Sequence, residues 1–175
     1  MFDEYRRMLD KFGLNAAEVS DGSMILPHEE KLKCISTLAK DVTVVSEVGS
    51  KEEGILISPG KWINMMRDEL DAGSWKVIAE GRESGTVGIF RPNGQPHTIL
   101  INKIKSKVNN DNIIWEAPQK KQVVWFIKLM GCNVNLGNIA PQDVIPTETL
   151  RYGLRGDTFL DFLPEEMKAG KQQTE

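Results

Sequence analysis

Five short apolar runs recur along this chain, each closed by a polar residue near its carboxyl end. They read NAAEVSDG (15–22), VTVVSEVGSK (42–51), KVIAEGRES (76–84), IIWEAPQKK (113–121) and CNVNLGN (132–138). Val and Ile dominate them, and Gly, Pro or Ser ends each one, which is the pattern of a buried strand. A stretch of helical period separates successive runs, although the last two sit closer together. Alternating strands and helices with apolar strand faces predict a parallel sheet. Ligands bind such sheets at the carboxyl ends of the strands. That end carries Glu18, Glu47, Glu80 and Glu116, followed by the amides Asn133 and Asn135.

The intervening segments have recognisable starts and stops. Phe2, Tyr5, Met8, Leu9 and Phe12 make an apolar stripe at helical spacing, with Gly13 as its stop. Pro27 reads as the first residue of a helix whose inner face is Leu32, Ile35, Leu38 and Ala39. Ser58-Pro59 reads as the cap and first residue of another, with Trp62, Met66 and Leu70 inward. Asn93-Gly94 marks a tight turn, 99–108 a further helix, and Pro118 the opening of a helix closed by Gly131. The fifth strand is expected over 133–136 and a last helix over 147–154. The long loop GSKEEGILISPG (49–60) is a candidate lid. One domain over 1–163 is expected, with a disordered tail over 164–175, where apolar residues almost vanish.

The unit repeats about every 30 residues, as a βα unit should. Five are visible, whereas a closed (β/α)8 TIM barrel needs eight in roughly 250 residues. The fold class is therefore α/β, of TIM-barrel type but incomplete. A net charge of −3, from 22 basic and 25 acidic residues, argues against a nucleic-acid or anionic-membrane surface. No apolar stretch approaches the ~20 residues of a membrane span, and the charged start MFDEYRRMLDKFG is no signal peptide. Cys34 and Cys132 lack metal-ligand spacing and read as buried thiols of a reducing, cytoplasmic compartment.

A single strand-end Glu is commonly solvated or paired with a neighbouring cation; four in register point to a hard cation such as Mg2+, held directly by one or two of them. Lys51 and Arg82 lie just past the second and third strands. A lysine beside acids suits proton donation, and an arginine grips carboxylate or phosphate with two prongs, although structural salt bridges account equally well for both. Glu80 and Arg82, two apart on an extended chain, would face the same side. The segment Asn135-Leu136-Gly137-Asn138 offers backbone N–H groups to an anion, or is ordinary turn chemistry. His28 and His97 are isolated from these groups, and no Ser-His-Asp or Cys-His nucleophile is visible.

SEVGSK (46–51), EGRESGT (80–86), IIWEAPQKKQ (113–122), NVNLGNI (133–139) and ETLRYGLRGDTF (148–159) together resemble the phosphosulfolactate synthase family, over about residues 2–160. Gly81 departs from the alanine expected in the second motif. The resemblance implies a (β/α)8 barrel that adds sulfite to phosphoenolpyruvate with Mg2+, giving 2-phospho-3-sulfolactate on a route to coenzyme M. It implies Lys51 as general acid, Arg82 as anion clamp and Glu47 beside them in catalysis. Glu80 and Glu116 become the metal ligands, and Asn135, Gly137, Asn138 and Arg155 the phosphate side. It also implies about three further βα units before residue 2, so the chain reads as N-terminally shortened and a homo-oligomer is expected to cover the open sheet. Two other functions fit the same residues: a non-catalytic, stress-associated relative, or another barrel enzyme handling phosphoenolpyruvate or a sugar phosphate.

Overall fold

The structure, a computed structural model, describes residues 2–22, 24, 26–51 and 57–168. Five strands form one parallel sheet in chain order: β1 (Ala16–Val19), β2 (Thr43–Val48), β3 (Lys76–Ala79), β4 (Ile113–Glu116) and β5 (Leu136–Gly137). The helices are α1 (Phe2–Lys11), α2 (His28–Leu38), α3 (Pro59–Asp71), α4 (Thr98–Lys105), α5 (Lys120–Met130), α6 (Val144–Arg151) and α7 (Glu165–Lys168). Each strand pairs only with its neighbours in sequence, and β1 does not pair with β5. This is α/β architecture of partial TIM-barrel type, with the sheet open.

The helices cover one face because alternate strand residues point towards them. Val48, Val77, Ala79, Ile113 and Trp115 join Trp62 and Met66 of α3, Ile101 and Ile104 of α4, and Val123, Phe126 and Ile127 of α5 in the main core. Phe126 is its aromatic centre, 5.3 Å from Trp115 and 6.3 Å from Phe90 between ring centroids. A smaller cluster of Leu9, Ala17, Ile35, Leu38 and Val44 lies under α1 and α2.

Several element ends differ from the sequence expectation. The fifth strand keeps only Leu136 and Gly137 in register, opposite Trp115 and Glu116. A turn bond from the Val134 amide to the Gly131 carbonyl delays it. The last helix starts at Val144, three residues early, and tolerates Pro146 because its amide falls in the unbonded first turn. Pro27 is the cap residue of α2, not its first residue, and Gln119, not Pro118, opens α5 through a reciprocal capping box with Gln122. Ser58 caps α3 as expected, accepting from the Lys61 amide. Of the α1 stripe only Leu9 is buried; Tyr5, Met8 and Phe12 are exposed. Cys34 and Cys132 are free and half-buried. Residues 52–56 of the loop read as a lid, and 169–175 of the tail, lie outside the described residues; the described start of that tail is the short α7.

Candidate active site

Register places the acids on one face. Glu18 lies opposite Val45, two residues before Glu47, and Glu47 lies opposite Ile78, two residues before Glu80. Trp115 lies opposite Ala79, so Glu116 is level with Glu80. Every step is even, so all four carboxylates leave the sheet away from the helices. They line a cavity of 520 Å3 with Lys51, Ile78, Arg82, Glu83, Ile114, Gly137 and Asn138.

Glu47, Glu80 and Glu116 each offer an oxygen within 4.8 Å of the others. Protein donors fix two of these acids. Glu47 accepts from Ser20 Oγ at 2.6 Å and pairs with Lys51 Nζ at 3.2 Å. Burial alone would raise its pKa, but Glu80, Ser20 and Lys51 together outweigh burial and hold the carboxyl below the ordinary glutamate range. Glu116 Oε2 accepts two consecutive backbone amides, Gly81 at 2.7 Å and Arg82 at 2.8 Å.

Glu80 differs. Its Oε1 accepts the Arg82 amide at 2.6 Å, but Oε2 is buried with no hydrogen-bond donor, and the nearest cation is Lys51 Nζ at 3.7 Å. The side chain is 1 % exposed. Burial, then the neighbouring carboxylates of Glu47 and Glu116, push its pKa up to about 9. Two glycines make room for it: a Cβ at Gly49 would lie 2.4 Å from Glu80 Cβ, and one at Gly88 2.0 Å from the Glu80 carbonyl oxygen. A buried carboxylate oxygen without a donor, flanked by two fixed carboxylates, suits a hard cation, so these residues fit Mg2+.

The cations stand beside this trio. Burial opposes the charge of Lys51, yet Glu47 and then Glu80 outweigh burial and keep its pKa above that of a free lysine. Its stem runs over Gly22, where a Cβ would meet Lys51 Cγ at 2.8 Å. Arg82 is not on an extended chain: its φ of 60° is left-handed, and the turn aims its amide at Glu80 and Glu116 while Nη1 donates to the Lys51 carbonyl at 3.0 Å. The loop carrying it is clamped by Gln122, which is 1 % exposed and donates to the carbonyls of Gly85 at 2.8 Å and Gly94 at 3.1 Å.

The structure thus brings together Lys51, Arg82, Glu47, Glu80, Glu116, Gly137 and Asn138. Asn135 is elsewhere: its side chain donates to the carbonyls of Asp111 and Ile113, at the amino end of β4. Arg155 lines a separate cavity with Lys120, Thr147 and Leu150. Its neighbour Asp157 pairs with Lys120 at 2.6 Å. Sequence reasoning missed Ser20 and Gln122, because both act through partners 27 or more residues away.

Comparison with known proteins gives one consistent answer. The profile of the family described as (2R)-phospho-3-sulfolactate synthase (ComA) matches residues 1–157. Phosphosulfolactate synthase of Methanocaldococcus jannaschii is 42 % identical over 163 residues, covering 90 % of this chain and 64 % of that protein. The protein of the same name from Methanothermobacter thermautotrophicus is 39 % identical over 160 residues, covering 89 % of this chain and 62 % of the relative. That from Bacillus subtilis is 38 % identical over 160 residues, covering 90 % and 64 %. The chain therefore spans under two thirds of the length of the curated relatives it matches.

Proposed function

The chain belongs to the (2R)-phospho-3-sulfolactate synthase family, and on that premise we propose that its acid-lined cavity serves the Mg2+-dependent addition of sulfite to phosphoenolpyruvate. The observation that carries this reading is the acid trio itself, with the donorless Glu80 Oε2 beside Lys51 and Arg82. The described lining holds five carboxylates (Glu18, Glu47, Glu80, Glu83, Glu116) and two cations. This lining repels a polyanionic substrate unless positive charge is added. Mg2+ on Glu47, Glu80 and Glu116 would supply that charge and stabilise negative charge gathering on the substrate carboxylate.

In this reading the sulfite sulfur donates its lone pair to the methylene carbon of the enol phosphate, forming the C–S bond. The C=C electron pair moves to the adjacent carbon and is delocalised onto the carboxylate. Lys51 delivers a proton to that adjacent carbon, giving 2-phospho-3-sulfolactate. Its raised pKa keeps it charged and loaded at neutral pH. Arg82, half-exposed at the rim, grips the substrate's anionic end. Gly137 and Asn138 line the same cavity, and in this reading they take the phosphate side.

The test is sulfite-dependent consumption of phosphoenolpyruvate, with the product identified by mass spectrometry. The expected result is product from the unaltered protein with Mg2+ and none from Lys51→Ala, while Lys51→Ala still binds Mn2+. Activity that survives Lys51→Ala would remove this residue as the proton donor. Absence of product from a folded protein that binds Mn2+ would remove the reaction.

A further inference from the structure

We propose that Lys31 is a positioning residue for the carboxylates of the cavity, acting from behind the sheet through the Glu47 carbonyl and Asp21. This inference rests on the metal-binding reading of the acid trio. Lys31 sits on α2, is fully buried and is not itself among the residues that line the cavity. Its ammonium donates to Asp21 Oδ1 at 2.8 Å and to the backbone carbonyl of Glu47 at 2.5 Å, and forms an ion pair with Glu69 Oε1 of α3 at 2.9 Å.

Strand geometry explains the last of these. Alternate carbonyls of a strand point to opposite neighbours. Those of Val44 and Val48 accept from Trp75 and Glu80, on the β3 side. The Glu47 carbonyl therefore points to the β1 side, where β1 has already ended at Val19, opposite Ser46. Lys31 takes the place of the missing strand.

The same ammonium holds the segment that follows β1. Asp21 is bound to Lys31, and the adjacent Ser20 donates to the Glu47 carboxylate. Lys31 thus secures Glu47 twice, once at its backbone and once, through Asp21 and Ser20, at its side chain. Glu69 is fully buried, and burial pushes its carboxyl above the ordinary range despite Lys31. A buried ion pair of this kind commonly returns less stability than hydrophobic residues of the same size. What it supplies here is a fixed direction for Glu47.

The experiment measures Mn2+ affinity by titration calorimetry and folding by circular dichroism and thermal melting. The double substitution Lys31→Met with Glu69→Leu removes both buried charges and fills their volume; Asp21, 17 % exposed, can be solvated. The expected result is a folded protein whose Mn2+ affinity falls by roughly 10–100-fold, the usual effect of losing an outer support of a metal ligand. Asp21→Ala leaves the Lys31–Glu69 pair and the bond to the Glu47 carbonyl in place, and should also weaken Mn2+ binding. Unchanged affinity in either folded variant overturns the proposal. Unaltered protein that takes up no Mn2+ overturns the metal reading itself. Unaltered protein that binds Mn2+ but adds no sulfite overturns only the reaction and leaves the role of Lys31 to be decided by the two variants.

Discussion

Replacing Glu80 by glutamine should stabilise the metal-free protein at neutral pH, although it removes a buried charged residue type from the candidate active site. Burial and the carboxylates of Glu47 and Glu116 push the Glu80 pKa up to about 9 in the fold. In the unfolded chain it returns to about 4.3. A group whose pKa is raised on folding favours the folded state fully below the unfolded value, and that contribution is lost as pH rises towards the folded value. The window here runs from about pH 4.3 to about 9. At pH 7 the protein holds a proton that the unfolded chain has released. Close to three pH units at about 1.4 kcal/mol each gives a penalty of about 4 kcal/mol as an upper figure. Glutamine is neutral at every pH and still accepts the Arg82 amide through its oxygen. In a chain of this size that penalty corresponds to roughly 8–16 °C in melting temperature. Thermal melts of Glu80→Gln and of the unaltered protein, from pH 4.5 to 9 in chelator, should therefore coincide at the acid end and diverge upward in favour of the variant. Added Mg2+ should reverse the order, because it stabilises only the protein with an ionisable Glu80. Parallel curves across the whole range, or a variant less stable at pH 7 in chelator, would refute the reasoning.

Other substitutions probe the frame around the site. Gly88→Ala places a Cβ 2.0 Å from the Glu80 carbonyl at a φ of 60°, so it should destabilise by at least ~2 kcal/mol and weaken Mn2+ binding together, read by urea unfolding and calorimetry. Phe126→Ala empties the centre of the aromatic core and should cost about 3–5 kcal/mol without altering Mn2+ affinity in the fraction that folds. Gln122→Leu strands the carbonyls of Gly85 and Gly94 and should cost about 1–3 kcal/mol, with faster amide exchange confined to the loop that carries Arg82.

The acids were legible because strand parity needs only a period of two. Glu47, Glu80 and Glu116 each end a Val- or Ile-rich run, and a parallel sheet of short strands leaves such positions one common rim. Asn135 was misplaced by the same logic, since its strand begins a residue later and its side chain turns to the opposite end of β4. Arg82 reached the site by a left-handed turn that an extended reading cannot contain. Lys31 carried a signal that went unused. The expected inner face of α2 was Leu32, Ile35, Leu38 and Ala39, yet the buried positions are 31, 35 and 38, which is the tighter helical stripe. A lysine in that stripe reads as a solvated neighbour of Glu29 and Glu30 until Asp21, Glu47 and Glu69 are folded around it. No helix among the described residues is long and apolar enough to cross a membrane.

The sheet's chain-order pairing has a kinetic meaning. Every strand contact closes a loop of one unit, and none waits for a distant partner. Pairing can spread outward from β3, like a zip opened from its middle, with β5 last because only two residues hold it. The amides of β3 should then exchange with solvent most slowly and those of β5 early. Since the acid trio stands at the ends of β2, β3 and β4, fraying at the β5 edge can proceed while the three carboxylates stay assembled, whereas fraying of β1 would draw Ser20 away from Glu47.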